Sequence, residues 1–450
     1  MMMIFSLSSS KFTYCNKYYS VILLKKSSHS LLTMPFERIV INIKHTVDQT
    51  HIRSINQRVI LDKIYSDEPI SRAKLARELC LSKSSMTENI ASLLSIGIIN
   101  EVGAGASMSV GGRRPILLKF NKTYQYIIAI ELNFEDPIFV LANLGGGIIN
   151  KFTVNISSNS PYAIRLDLML NAIKVLLSSS NLTNKDLAII AISCPGIYDS
   201  INRTFFANSD FANWNMGDLS QQMESCFETS VLVVNDVNAA AVGELTYGAG
   251  QSSLDLVYVS GGLGLGAGIV LNGTLYEGSS NCAGEIANEI TIHNDMSDAG
   301  RYSLNNLGGS TNINALSAKI KAEAPQKTAD AFAALGKSLD MFGFKDIIEV
   351  WRAGDLFLKQ CVDDISVIIG GTISNITCLL NCDLVIWGGE YTAFNSQMLP
   401  IINQIVKENA FAPVNVVAAQ LEKDSGIYGL FALSRGIIFS ELCNSGHNRA

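Results

Sequence analysis

The apolar positions keep a helical period at first and a strand-like one later. Ile55, Val59, Ile60 and Ile64 lie on one face of a helix within Ile55–Tyr65. Ser71, just after Pro69 and Ile70, suits an N-cap, and Ala73, Leu75, Ala76 and Leu79 give a second short helix its inward face. Ser82 suits another cap. Met86, Ile90, Leu93 and Leu94 then form the buried stripe of a third helix, which Gly97 ends. Lys83, Ser84, Ser85, Thr87 and Asn89 are left facing outward. "IGIINEVG" and "RPILLKF" read as two strands joined by the loop "AGASMSVGGR". Beyond Lys122, apolar runs alternate with glycine-rich turns: "YIIAIEL", "DLAIIAISCPGI", "VLVVNDVNAAAVGEL", "DLVYVSGGLGLGAGIVLNG" and "CDLVIWGGE". Helical stretches such as "YAIRLDLMLNAIKVLLSS" separate them, the pattern of an α/β body with buried strands.

Charge divides the chain in the same place. The net charge is −6, but residues 51–120 carry ten basic and six acidic side chains, which leaves −10 for the remainder. One module is suited to meet an anion and the larger body is not. Hydrophobic residues make up 48% and charged residues 16%, enough apolar side chain for a large core. The nine cysteines are scattered without a CxxC pair, as expected of buried reduced thiols in a cytoplasmic protein. No apolar run reaches the roughly 18 residues of a membrane helix, so no membrane partner is expected. Residues 1–49 read as a disordered or mis-annotated extension without clear periodicity, with Met34 a candidate start.

Three short helices followed by a hairpin make a winged helix-turn-helix over 50–122. In that arrangement the third helix enters the major groove with its N-terminal residues toward the bases. Ser82, Lys83, Ser84, Ser85 and Thr87 suit contacts with phosphates and base edges, and the helix N-terminus is itself an anion site. In the wing, Gly111 and Gly112 let the backbone come close to a partner. Arg113 and Arg114 suit a minor groove or the flanking phosphates. A plain helical bundle with solvated polar faces explains the helices alone, but not the hairpin that follows them.

At "VVNDVNAAAVGEL", "SGGLGLGAGIVLNGTLYEG" and "AGEIANE" the chain resembles the ROK family (repressors, open reading frames and sugar kinases) over roughly residues 50 to 440. The head ending in "GGRRP" is similar to the family's repressor branch. The resemblance implies an actin-like, two-lobed ATPase fold of sugar-kinase type, with one lobe over 123–240 and the other over 241–450 closed by a C-terminal helix. It implies a sugar pocket with Asp236, Asn213, Glu285 and Asn288. Asp236 follows the strand "VLVVN" and matches the family's catalytic base; a helix N-cap is the other role that position suits. Gly262, Gly264, Gly266 and Gly268 suit either a phosphate-facing turn or a hairpin that only closes the lobes.

Two departures from the family pattern redirect the function. Glu131, Asn133, Phe134 and Glu135 stand where the family's first phosphate loop carries Asp, two glycines and Thr. Phe134 blocks close backbone approach, Glu135 and Asp136 add negative charge, and Pro137 removes a donor. Like charges at about 4 Å cost on the order of 1–4 kcal/mol. Asn288 replaces a zinc-binding His, and Ser297–Gly309 contains no cysteine where the family's zinc loop falls, so no metal is expected. The expectation is a sugar-responsive transcriptional regulator with no catalytic residue and no cofactor. It binds operator DNA as a homodimer or homotetramer. An active sugar kinase carrying a DNA head, and a regulator whose body binds a protein, are the alternatives.

Overall fold

The computed structural model describes residues 49–445 except 105–114, 134–135, 158–159, 200–201, 206–213 and 295–301. Residues 1–48 of the expected N-terminal extension lie outside them, as do Arg113, Arg114, Phe134, Glu135 and Asn213.

The head comprises α1 (Gln49–Asp67), β1 (Ile70–Ser71), α2 (Arg72–Glu78), α3 (Lys83–Ile96), β2 (Ile99–Ala104) and β3 (Ile116–Phe120). The three strands form an antiparallel sheet in the order β1-β3-β2. Both serine caps act as the sequence predicts. Ser71 accepts from the Lys74 N–H at 3.3 Å and Ser82 from that of Ser85 at 3.2 Å. Gly97 ends α3 at φ +86°, the left-handed region a C-terminal glycine relieves. Asn89 differs from expectation: it is buried, with its Nδ2 donating to the Ser85 carbonyl at 2.8 Å. A short amide that can bond within its own helix tolerates an inward position.

The body is a repeated unit. The first holds β4 (Tyr126–Glu131), β5 (Ile138–Asn143), β6 (Ile148–Thr153), α4 (Tyr162–Ser179), β7 (Leu187–Cys194), the small pair β8 (Tyr198–Asp199) and β9 (Thr204–Phe205), α5 (Met216–Phe227), β10 (Ser230–Asn235) and α6 (Asp236–Tyr247). The second holds β11 (Leu256–Gly261), β12 (Leu265–Leu271), β13 (Thr274–Tyr276), a hairpin of β14 (Ile290–Asn294) and β15 (Tyr302–Asn306), and the helices α7 (Leu307–Thr311), α8 (Ile313–Glu323), α9 (Gln326–Ala334), α10 (Phe344–Arg352) and α11 (Leu356–Leu380). It closes with β16 (Leu384–Gly388), α12 (Asn395–Asn409), β17 (Asn415–Ala418) and α13 (Ser425–Ser445). The sheets run β6-β5-β4-β7-β10 and β13-β12-β11-β16-β17. In each, the first three strands in sequence are antiparallel and the last two add in parallel. Each lobe therefore has the strand order 3-2-1-4-5.

α6 and α13 lie between the sheets. Ala240 and Ala241 of α6 pack with Leu256, Tyr258, Val270 and Ile386 of the second sheet. α13, which the sequence grouped with the second lobe, contributes Ile427, Phe431 and Phe439 to the core of the first sheet and the head instead. The cause is its crossing with α6: a Cβ on Gly429 would collide with the Ala239 carbonyl, and one on Gly243 with that of Ser425. The two backbones touch there, and this seats the apolar stripe of α13 on β4 and β7.

Two helical segments, Leu356–Leu380 and Glu422–Asn444, are long and apolar enough to cross a membrane by length and composition, contrary to the expectation from the sequence. Interspersed hydroxyls hid the apolarity of the first; Ser366 and Ser374 bond back to the Val362 and Gly370 carbonyls at 2.6 and 2.8 Å. Its Ile365, Ile369 and Ile373 are buried in the core of the second lobe. Cys80 and Cys378 are exposed thiols, unlike buried Cys194, Cys361, Cys382 and Cys443.

Candidate functional site

Parallel strands end side by side, and in folds of this kind ligands bind in the crevice outside their carboxyl ends. Glu131 ends β4, Asn235 ends β10, and Gly389 and Glu390 follow β16. Register fixes their neighbours: Glu131 lies opposite Ser193, and Cys194 opposite Asn235.

The N-cap of α6 is Asn235, whose Oδ1 accepts the Asn238 N–H at 3.0 Å while its Nδ2 donates to the Gly196 carbonyl at 3.1 Å. Asp236 is thereby relieved of capping. Its Oδ1 accepts the Val237 N–H at 2.9 Å, which holds the side chain at the mouth of the helix. Burial pushes its carboxyl up to about 6; the Val237 N–H opposes this, and the charges of Glu390 and Glu285 add to it. Glu131 rises to about 7, first by burial, then through Asp236 and Asp424, with Lys151 opposing. Lys151 is itself paired with Asp424 at 2.7 Å. Burial also raises Glu285. Asp236 thus lies within electrostatic reach of Glu285 and Glu390, and Glu131 within reach of Asp236 and Glu390. Asn288 stands apart in exposure, at the end of the short turn Ile286–Asn288, where its N–H donates to the Glu285 carbonyl at 3.1 Å.

Four carboxylates facing one crevice suit a ligand rich in hydroxyls. Each accepts two or more hydrogen bonds, and a neutral polyol spares them the repulsion an anion would bring.

The glycine turn between β11 and β12 reads differently in three dimensions. The Gly262 N–H donates to the Gly264 carbonyl at 2.9 Å, and a Cβ on Gly262 would collide with Oε2 of Glu390. A Cβ on Gly266 would lie 3.1 Å from Val237 Cγ2, and one on Gly268 2.5 Å from Ala241 Cβ. Gly266 and Gly268 therefore let β12 approach α6, while Gly264 faces open space. Of the two roles the turn suits, this geometry favours lobe packing. Sequence reasoning passed over Glu390; its signal was "GGE" at a strand end.

On the head, Lys83, Ser84 and Thr87 are exposed at the start of α3. Ser84 Oγ lies 3.0 Å from Ser82 Oγ, and Thr87 Oγ1 donates to the Lys83 carbonyl at 2.8 Å. Ser85 is half-buried, and its Oγ accepts from Asn89 at 3.2 Å.

The head and the body find counterparts among known proteins. The chain is 33% identical over 239 residues to the xylose repressor of Bacillus spizizenii, covering 53% of this chain and 61% of that one. It is thus matched to about three fifths of that repressor's length. A xylose repressor of Caldicellulosiruptor bescii is 27% identical over 368 residues, 81% of this chain and 90% of the relative. A solved ROK family transcriptional regulator, described as a homologue of the Escherichia coli MLC protein, superposes with a TM-score of 0.70 at 22% identity, over 88% of this chain and 99% of that one; at that identity the likeness is one of fold. The sequence profile of the ROK family matches residues 139–437, from β5 through the first part of α13, and the chain belongs to the ROK family.

Proposed function

We propose that the protein is a sugar-responsive transcriptional regulator, most simply a repressor, that grips operator DNA with its head and senses a sugar in the crevice. The observation that carries this reading is the acid on the glycine turn. With Glu390 against Gly262 and the Gly262 N–H already used by Gly264, the second lobe offers a triphosphate repulsion in place of donors. The substitutions at Glu131, Phe134 and Glu135 remove the cradle on the first lobe. Phosphoryl transfer loses both supports, while hydroxyl recognition by Asp236 and Glu285, with Asn213 and Asn288, needs neither.

The head supports the DNA half of the reading. The start of α3 is polar and exposed, and its Met86, Ile90 and Leu93 face the core. Ser82, Lys83, Ser84 and Thr87 meet the major groove, with Arg113 and Arg114 on the wing; Ser85 holds Asn89 in place. Two copies bind a two-fold-related operator. The xylose repressors among the relatives make xylose the first sugar to test.

The test uses the full chain. Duplexes selected from a random-sequence pool are titrated by fluorescence anisotropy with and without xylose, glucose and N-acetylglucosamine, and the same sugars are titrated by calorimetry. Selective duplex binding that one sugar weakens is expected. Sugar-dependent ATP turnover that Asp236→Asn abolishes would overturn the reading in favour of a kinase.

A further inference from the structure

α6 and α13 run from the crevice to the head. α6 begins at Asp236 and ends at Tyr247; α13 begins beside Glu131, where a Cβ on Gly426 would lie 3.2 Å from Glu131 Oε2. Between the C-terminal half of α6 and the start of α13 the two helices are locked together. Beyond the backbone contact at Gly243 and Gly429, the buried Glu244 carboxylate accepts from Ser425 Oγ at 2.8 Å, from the Leu421 N–H at 2.8 Å and from the Gln420 N–H at 3.1 Å. The pair cannot slide without breaking a satisfied buried charge.

At the far end stands a polar cluster that neither sugar nor DNA chemistry uses. Arg435 of α13 donates through Nη1 to Tyr65 OH at 2.7 Å and also to Tyr247 OH. Its guanidinium carbon lies 4.1 Å from the Tyr65 ring centroid and 5.5 Å from that of Tyr247. Tyr65 lies in the last turn of α1, in the head. Its hydroxyl donates to the Gly145 carbonyl at 3.3 Å, in the turn between β5 and β6, and its ring meets Phe120 of the wing edge-on at 5.2 Å. One turn or more away, Arg58 of α1 donates to the Gly436 carbonyl and Ser440 Oγ of α13, both at 2.6 Å.

We propose that Arg435, clamped between Tyr65 and Tyr247, is the positioning residue that passes the state of the crevice to the DNA-binding head. This rests on the function proposed above and adds the element that joins its two halves. The argument is one of geometry. A purely apolar junction between α1 and α13 tolerates small slips. A planar guanidinium held by two hydroxyls and stacked on a ring has discrete arrangements, because its donors point in fixed directions. A ligand at the N-terminal ends of α6 and α13 shifts them together, and the clamp converts that shift into a new angle for α1. Such a two-state element is what physical coupling between distant sites requires. Lysine has the charge but not the flat face that stacks on Tyr65.

The experiment measures coupling separately from binding. Tyr65→Phe and Tyr247→Phe each remove one hydroxyl and keep the ring; Arg435→Met keeps the length and loses the guanidinium. Full-length variants are titrated with a pool-selected duplex, with xylose, glucose and N-acetylglucosamine, and with both together. Each affinity measured alone should stay within about 3-fold of wild type. The factor by which sugar changes duplex affinity, roughly 5- to 150-fold for typical allosteric proteins, should fall below about 3-fold. Hydrogen exchange supplies a readout without DNA: sugar should alter exchange in residues 49–67 of the wild type and leave it unaltered in Tyr65→Phe. Full coupling and an intact exchange response in the variants would overturn the clamp and leave the proposed function standing. A wild type that binds neither duplex nor sugar would overturn the proposed function and the clamp with it.

Discussion

Replacing Asp236 by Asn should make the free protein more stable and its sugar binding weaker. A carboxyl that titrates at about 6 in the fold and near 3.9 in an unfolded chain holds its proton more tightly when folded. Stability then falls as pH rises from about 4 to about 6, and is level above that. At roughly 1.4 kcal/mol per pH unit, the full effect is about 3 kcal/mol; solvent at the mouth of the crevice screens part of it, leaving about 1–3 kcal/mol. The charges responsible besides burial are those of Glu390 and Glu285, and Glu131 faces the same space with Asp424 and Lys151 behind it. Asn keeps an oxygen for the Val237 N–H, so the mouth of the helix is preserved. The variant should therefore unfold at higher urea than wild type at pH 8, and the two should converge near pH 4. Its affinity for the inducing sugar should drop about 10- to 150-fold, the worth of roughly 1.5–3 kcal/mol for a hydrogen bond to a charged acceptor. A variant less stable than wild type at pH 8, or an offset that ignores pH, would refute the electrostatic account of the crevice.

Changing Arg113 and Arg114 together to Ala should lower the slope of log affinity against log salt by about 2 in duplex titrations, since each lost phosphate contact removes about one released counterion. Gly429→Ala should destabilise the chain by about 1–3 kcal/mol in urea unfolding, because the new methyl group meets the Ala239 carbonyl and forces the α6–α13 crossing apart. Glu244→Ala should cost at least about 3 kcal/mol by the same assay, as it strands the N–H groups of Ala249, Gln420 and Leu421.

Much of the head was legible because its rules are local. Ser82, Gly97 and the stripe between them lie within one helix, and caps and periodicity act over a few residues. Asn89 escaped because its partner Ser85 is one turn away, and an outward polar residue leaves the same mark in a sequence. In the body, Asp236 was legible as the residue after a strand. Glu390 was not, because it reaches Gly262 only when β11 and β16 pair across more than a hundred residues. The docking of α13 on the first sheet was hidden for the same reason. Its apolar run shows that it is buried, and only the Gly429–Ala239 contact shows where. Tyr65 and Arg435, 370 residues apart, leave no joint trace in a single sequence.

Glu390 resting on Gly262 also bears on what the protein can be made to hear. Cells keep adenine nucleotides abundant, and a sugar receptor of the kind proposed would report energy supply along with diet if its cleft also took a nucleotide. On the function proposed here, an acid at that turn insulates the cleft from the nucleotide pool. No single substitution would make a phosphate cradle there: the acid must go, the Gly262 N–H must be freed from Gly264, and the opposite lobe must supply donors of its own.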